Sequence, residues 1–184
     1  MKRVIIVLLS RIDMHLIGKL KSSLERTFDC FVETRYKLGT LEYAYDANRK
    51  QYISPRLLSR LNRIKRGSED KILGVVNVDL YSPEYDFVYG EADVNSGVAT
   101  LSTYRLISEN PDTYADDYKF EGRVIREATH EVGHLYGMDH CKNPRCLMRT
   151  CTCLSEVDEA GNVFCIECEK KLKTNLDLMT VTSC

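Results

Sequence analysis

The sequence predicts an α/β fold with a twisted, mostly parallel sheet, an antiparallel edge strand, backing helices and a small cysteine-rich C-terminal subdomain. Residues 4–9 form a continuous apolar run, which is typical of a strand buried on both faces. Strand and helix patterns then alternate along the first two-thirds of the chain, an order typical of parallel sheets. Seven of the eight cysteines lie in the last quarter of the 184 residues.

After the first strand, the pattern indicates a helix, a strand and a second helix. Asp13 is a suitable N-cap for the first helix. The apolar stripe of that helix consists of Met14, Leu16, Ile17, Leu20 and Leu24. A second strand is predicted at residues 30–34. Ser54 is a suitable cap for the second helix, with Pro55 in its first turn and Gly67 at its end.

Three more strands are predicted in the middle of the chain, at residues 72–80, 87–92 and 98–106. A Ser-Pro-Glu turn at 82–84 follows the first of them. The short loop between the last two allows them to pair antiparallel, so that one of them forms an edge of the sheet. A break at residues 110–113 separates these strands from a long helix.

The bulk properties exclude several classes of partner and predict one domain over residues 1–184. The formal net charge of −1 provides no electrostatic attraction for nucleic acid or an anionic membrane. The N-terminal apolar run has only six residues and meets Arg11 and Asp13, so it does not resemble a signal peptide. We expect a cytoplasmic monomer without a membrane or nucleic-acid partner.

Residues 130–140 have the pattern H-E-x-x-H-x-x-G-x-x-H, which predicts a metal site. His130 and His134 are four residues apart on a helix, so both can reach one metal ion. Gly137 can adopt the left-handed conformation that ends a helix, which would return His140 to the same ion. Three histidines and an open position are typical of catalytic zinc, and Glu131 is placed to accept a proton from a zinc-bound water.

The periodicity of this helix separates an apolar arc from the histidines. At about 100° per residue, the histidine side chains project away from this apolar arc. Glu131 lies between the histidine side of the helix and the arc. The arc consists of Val124, Ile125, Ala128, Val132, Leu135 and Tyr136. The alternative is an ordinary amphipathic helix whose solvated face carries two histidines. Three of the four histidines lie within eleven residues, which favours the metal site.

The clustered cysteines predict a second, structural zinc site. Cys165 and Cys168 have the C-x-x-C spacing that binds one tetrahedral zinc. Cys141 and Cys146 are the favoured partner pair, since a single residue between the cysteines at 151 and 153 is a strained spacing for chelation. A thioredoxin-like redox motif would require a strand before and a helix after it, which the local pattern lacks. Three thiols remain unassigned: Cys151, Cys153 and Cys184.

The two predicted sites are joined covalently, because Cys141 directly follows His140. The cysteine site would therefore anchor the turn that delivers the third histidine. These sites also divide the predicted domain into residues 1–137, which end in the metal-binding helix and its turn, and the zinc-stapled residues 138–184.

With both patterns in view, the chain resembles the archaemetzincins, a branch of the metzincin zinc peptidases. The histidine motif matches the long metzincin signature, and the four cysteines with Met148 match the cysteine-rich extension of this branch. The resemblance implies that Met148 is the Met-turn residue beneath the metal, and that a cleft with zinc at its floor separates two subdomains. Residues 78–81 and 87–92 also resemble strands of the family. No tyrosine follows Met148 and no pro-segment precedes the first strand, so neither a tyrosine ligand nor cysteine-switch latency is expected.

The function predicted from these features is zinc-dependent hydrolysis of peptide bonds, with two zinc ions and a peptide substrate. An extended peptide could add a strand to the exposed edge of the sheet beside the cleft. The resemblance makes an aminopeptidase acting on short peptides one form of this activity. Two alternatives stay open: a non-enzymatic module stabilised by zinc, and a metal-dependent ribonuclease. The ribonuclease family with a similar histidine pattern usually has glycine at the position of Glu131 and lacks the four-cysteine site.

Overall fold

The computed structural model describes residues 2–37, 39–67, 69–107 and 114–181. Nine strands lie in the first part of the chain, and their bounds are β1 (Arg3–Leu8), β2 (Phe31–Tyr36), β3 (Tyr45–Asp46), β4 (Gln51–Ile53), β5 (Lys71–Val76), β6 (Leu80–Ser82), β7 (Tyr85–Val88), β8 (Gly90–Asp93) and β9 (Val98–Ser102). The helices are α1 (Met14–Phe28), α2 (Ser54–Asn62), α3 (Tyr114–Leu135), α4 (Leu154–Glu159) and α5 (Ile166–Val181).

The main sheet has five strands in the order β2-β1-β5-β9-β8. Its first four strands are parallel to their neighbours, whereas β8 pairs antiparallel with β9 and forms one edge. The mostly parallel sheet with an antiparallel edge strand, predicted from the sequence, is therefore confirmed.

The interior strand β1 is buried on both faces because it lies between two layers of helices. Val4, Ile6 and Leu8 contribute to one apolar core, together with side chains of α1, α3 and α5. Ile5 and Val7 contribute to a second core on the opposite face, which α2 covers. Alternate residues of a strand point to opposite faces, so a continuous apolar run is what this position requires.

A second sheet, with strand order β3-β4-β6-β7, departs from the sequence prediction. The strand predicted at 72–80 divides into β5 and β6, and the strand predicted at 87–92 divides into β7 and β8. Hydrogen bonds between side chains stabilise the chain at the break between β5 and β6. Arg105 binds both carboxylate oxygens of Asp79 at 2.6 and 2.7 Å, and Gln51 donates to the same carboxylate. The hydrophobic pattern could not predict these contacts, because the residues that make them lie far apart in the sequence.

Three smaller predictions about element ends also need correction. Ser54 is the first residue of α2 rather than its cap, and its hydroxyl bonds to Thr100 in the sheet at 2.9 Å. The helix ends at Asn62, before Gly67, and the last predicted strand stops at Ser102. Asp13 does cap α1, since its carboxylate accepts the backbone N–H of His15 at 2.9 Å.

The C-terminal region packs against the rest of the chain through α4 and α5, which the sequence analysis did not predict. Arg123 on α3 binds both carboxylate oxygens of Asp158 on α4 at 2.6 and 2.7 Å. Leu172 and Leu176 of α5 share the core that contains Phe28 of α1. The break predicted at 110–113 lies outside the described residues. Among the helices that are described, none is long and apolar enough to cross a bilayer.

Candidate active site

The first residues of the histidine motif lie at the C-terminal end of α3. This part of the helix is buried on its polar side as well as on its apolar side. Val132 and Leu135 lie in the main core, as the periodicity predicted. His130 and Glu131 on the other side are each only 5% exposed. An amphipathic helix with a solvated polar face therefore does not describe α3, and the polar residues of this face are held inside the molecule.

The return of the chain after α3 depends on Gly137, as the sequence predicted. Its φ is +77°, in the left-handed region that glycine adopts without strain. The backbone N–H of Gly137 donates to the carbonyl of His134 at 2.9 Å, and that of Met138 donates to Gly133 at 3.1 Å. This turn places His140, which is exposed, against the two helical histidines.

The three histidines are arranged as metal ligands. Ring nitrogens of His130, His134 and His140 all lie within 4.8 Å of one another, and the Nε2 atoms of the first two are 3.0 Å apart. The Nδ1 atoms of the same two rings bond to the carbonyls of Leu147 and Met138 at 3.0 and 2.7 Å. An Nδ1–H donated to a carbonyl leaves Nε2 deprotonated and free to bind a metal ion.

The electrostatics of the site also favour neutral imidazoles. Burial, together with the smaller effect of the neighbouring His134, lowers the pKa of His130 to about 3. Burial likewise lowers the pKa of His134. Neutral imidazole is the form that binds metal ions, so the residues present fit a zinc ion.

Glu131 is buried beside the histidines, in contact with the edge strand β8. Burial raises its pKa well above the ordinary value, and the carboxylates of Glu127 and Glu91 raise it further. A Cβ atom at Gly90 would lie only 2.5 Å from Cγ and Oε1 of Glu131. Glycine at this position of the edge strand therefore leaves the space that the glutamate occupies.

Replacing Gly90 with alanine is expected to displace the Glu131 side chain. The histidine motif predicts that Glu131 is the general base of peptide hydrolysis, and small misplacements of such a group can lower rates by about 10²-fold. On that hypothesis, we expect kcat to fall by about that factor with little change in bound zinc. Gly18→Ala on α1 is a matched control, since nothing lies within 4 Å of its added Cβ. Equal activity in the Gly90 and Gly18 variants would contradict the steric argument.

Met148 packs directly beneath α3, where the resemblance to the metzincins placed the Met-turn residue. It is fully buried, and its Sδ would be 2.8 Å from a Cβ at Gly133, so glycine is required for this close approach. Its carbonyl accepts the backbone N–H of Cys141 at 2.8 Å. This contact joins the segment beneath the helix to the residue after His140.

The structure brings together the four cysteines that the spacing selected. Sulfur atoms of Cys141, Cys146, Cys165 and Cys168 all lie within 4.8 Å of one another, and those of Cys141 and Cys165 are 3.8 Å apart. The backbone N–H of Cys168 lowers the pKa of the Cys165 thiol to about 7, which favours the thiolate that binds zinc. Four sulfur atoms at these separations fit a tetrahedral zinc ion.

Cys151 and Cys153 do not belong to this cluster. Cys151 lines the cleft beside the histidines, and Cys153 is exposed, with its sulfur 3.1 Å from the Ser155 hydroxyl. Cys184 lies outside the described residues.

The cleft above the histidines has a volume of about 460 Å³ and includes carboxylates that the sequence analysis missed. Glu127, one turn before His130, is 5% exposed and receives a hydrogen bond from Arg126. Glu91 comes from β8, and Asp86 from β7. Glu127 could have been found from its helical spacing to the motif, whereas Glu91 and Asp86 had no local pattern to identify them.

Comparison with known proteins places the chain in a family. The model of peptidase family M54 matches residues 15–174. The archaemetzincin of Pyrococcus abyssi is 32% identical over 182 residues, which cover 96% of this chain and 97% of that protein. The archaemetzincin of Pyrococcus horikoshii is 36% identical over 140 residues, or 76% of this chain and 74% of the relative.

Solved structures agree with the sequence comparisons. The crystal structure of archaemetzincin from Methanopyrus kandleri matches with a TM-score of 0.82 and 31% identity, covering 95% of each chain. A zinc-dependent peptidase from Methanocorpusculum labreanum matches with a TM-score of 0.81 and 31% identity, over 92% of this chain and 99% of that one. The chain therefore belongs to peptidase family M54, the archaemetzincins, and is a zinc metallopeptidase.

Proposed function

We propose that His130, His134 and His140 hold the catalytic zinc ion and that Glu131 is the general base of peptide-bond hydrolysis. The observation that carries this assignment is the convergence of the three imidazoles beside a buried carboxylate. Zinc, when bound, acidifies water and polarises a carbonyl. The carbonyls of Leu147 and Met138 orient two of the ligands through their Nδ1 atoms.

Glu131 accepts the proton of the attacking water and then donates it to the leaving amine. Burial raises the pKa of this carboxyl group, so the site favours uptake of the proton that is later passed to the leaving amine. The apolar surroundings and the neighbouring Glu127 and Glu91 favour the protonated form that must exist between the two steps. Met148, packed beneath α3, acts as the apolar floor of the site.

A second zinc ion is proposed at the four cysteines, where it is structural. Four thiolate ligands leave no open position for substrate or water. Metal binding would stabilise the segment from Cys141 to Met148. The core shared by α1, α3 and α5 supports one domain over residues 1–184, with residues 138–184 as its zinc-stapled part. The monomer is proposed as the working unit.

An extended peptide is proposed to bind along the open edge of β8. Unpaired backbone groups of an edge strand can add a further strand, and this edge lies beside Glu131. Cleavage near a free N-terminus, as in an aminopeptidase acting on short peptides, is the form of the activity that the archaemetzincin resemblance favours. Matched peptides with free and acetylated N-termini distinguish this from internal cleavage, since an aminopeptidase loses activity on the acetylated series.

The zinc content of the purified chain tests both proposed sites. We expect two zinc ions per chain by elemental analysis, and one in His134→Ala, because only the cysteine site then keeps its ligands. His15→Ala is the matched control, since His15 is exposed on α1 and belongs to neither cluster. One zinc ion in the wild type, held without the histidines, would instead favour a non-enzymatic module.

Peptide hydrolysis tests the activity itself. A chelator that removes zinc from the histidine site should abolish cleavage of a mixed peptide library, and added zinc should restore it. Cleavage that persists without zinc would overturn the proposed mechanism.

A further inference from the structure

We propose that Glu91 selects substrates carrying a lysine or arginine side chain next to the scissile region. This inference rests on the proposed binding of a peptide along β8. It assigns a specificity role to a carboxylate that is neither a proposed zinc ligand nor the proposed general base.

The hydrogen-bond pattern of β8 shows which of its residues face the open edge. The backbone N–H of Ser102 in β9 donates to the carbonyl of Tyr89 at 2.7 Å, so these two residues form a hydrogen-bonded pair. In an antiparallel ladder such pairs alternate, and Glu91 is paired with Thr100 in the next one. The backbone groups of Gly90 and Ala92 therefore point to the open edge, where a substrate strand would pair with them.

The same alternation separates the side chains of β8 onto two faces. Gly90 faces Glu131 on α3, and Ala92 packs against the core on that side. Glu91 lies on the other face, toward the second sheet, where its Oε1 accepts a hydrogen bond from the Ser82 hydroxyl at 3.0 Å. The second oxygen, Oε2, is buried and has no hydrogen-bond partner among the described residues.

A buried carboxylate oxygen without a hydrogen-bond donor is energetically costly. Among the described residues that line the cleft, four are carboxylates and none is lysine or arginine. Two of these carboxylates are bound by arginines from outside the cleft lining: Arg126 binds Glu127, and Arg49 binds Asp86. Neither of these hydrogen bonds involves Glu91. A substrate cation would supply the missing donor and offset the negative charge.

A bound peptide brings a side chain to this position by simple strand geometry. Directly opposed residues of neighbouring antiparallel strands share a face. Because Glu91 bonds to β9 and not to the open edge, it forms a non-hydrogen-bonded pair with the substrate strand, the type in which side chains approach more closely. The substrate residue opposite Glu91 thus projects toward its carboxylate, on the face away from Glu131. A free terminal amine continues the direction of the backbone instead, so a side-chain cation is the better fit.

The test is a positional scan with the zinc-loaded wild type and the isosteric variant Glu91→Gln. Two series of peptides, one with a free and one with an acetylated N-terminus, carry lysine, or the uncharged norleucine with the same four side-chain carbon atoms, at one position at a time. A charge-assisted hydrogen bond corresponds to about a tenfold or larger effect. We therefore expect kcat/KM to favour lysine by about tenfold at one position in the wild type, and this preference to disappear in the variant.

Asp86→Asn is the matched control, because it removes a carboxylate from the same cleft while its side chain is 99% exposed. This variant should keep the preference for lysine. The assignment is overturned if the wild type cleaves peptides but shows no such preference, if Asp86→Asn abolishes it as completely as Glu91→Gln, or if selectivity follows a free N-terminal amine. Absence of cleavage of every peptide by the wild type would overturn the proposed peptidase site as well.

Discussion

Replacing Glu131 with glutamine is expected to reduce peptide hydrolysis by about 10²–10⁴-fold, the usual contribution of a general base, while zinc stays bound. Glutamine has the same shape, so it fits the space beside Gly90, but it cannot accept the proton of the attacking water. The ligands of the metal are unchanged because the three histidines and their carbonyl partners do not involve Glu131. The measurement is kcat on a cleaved peptide, together with zinc content.

Glu121→Gln provides the control for this experiment, since Glu121 lies on the same helix, binds Lys19 at the surface and is remote from the metal ligands in sequence. It should keep wild-type turnover. Undiminished hydrolysis by Glu131→Gln would mean that another group accepts the proton, and the proposed role would be wrong.

Cys168→Ser is expected to remove the structural zinc and to weaken zinc binding at the histidines about 10–100-fold, the range found when residues that orient metal ligands are lost. Cys168 belongs to the cysteine cluster alone. The two sites are coupled through the segment from Cys141, the residue after His140, to Met148. The backbone N–H of Cys141 is bonded to the carbonyl of Met148, and the adjacent carbonyl of Leu147 holds the His130 ring.

Competition with a zinc chelator measures the affinity of the histidine site, and thermal unfolding reports the fold. The control is Cys153→Ser, because Cys153 is exposed and stands outside the cluster. That variant should behave as the wild type. If Cys168→Ser kept its fold and bound zinc at the histidines with full affinity, the two sites would be independent, although the assignment of Glu131 would stand.

Local patterns predicted the parts of the structure that depend on neighbouring residues. The apolar run at 4–9, the Asp13 cap and the periodicity of α3 each lie within a few turns or one strand, and the structure confirms them. The second sheet was missed because it depends on distant contacts, such as Arg105 with Asp79. The break between β7 and β8 was missed for a similar reason. The strand-forming residues there are almost continuous in the sequence, but β7 belongs to the second sheet and β8 to the main sheet.

By itself, the sequence determined the candidate metal ligands, the turn at Gly137 and the family, because the spacing of histidines and cysteines is a covalent property of the chain. The comparisons confirmed the family and the class of enzyme. Only the tertiary structure decided that β8 brings Gly90 against Glu131 and that one buried oxygen of Glu91 has no donor within the described part of the chain. The physical reason is distance along the chain: about forty residues separate Gly90 from Glu131, and only the packing of the sheet against α3 brings them together.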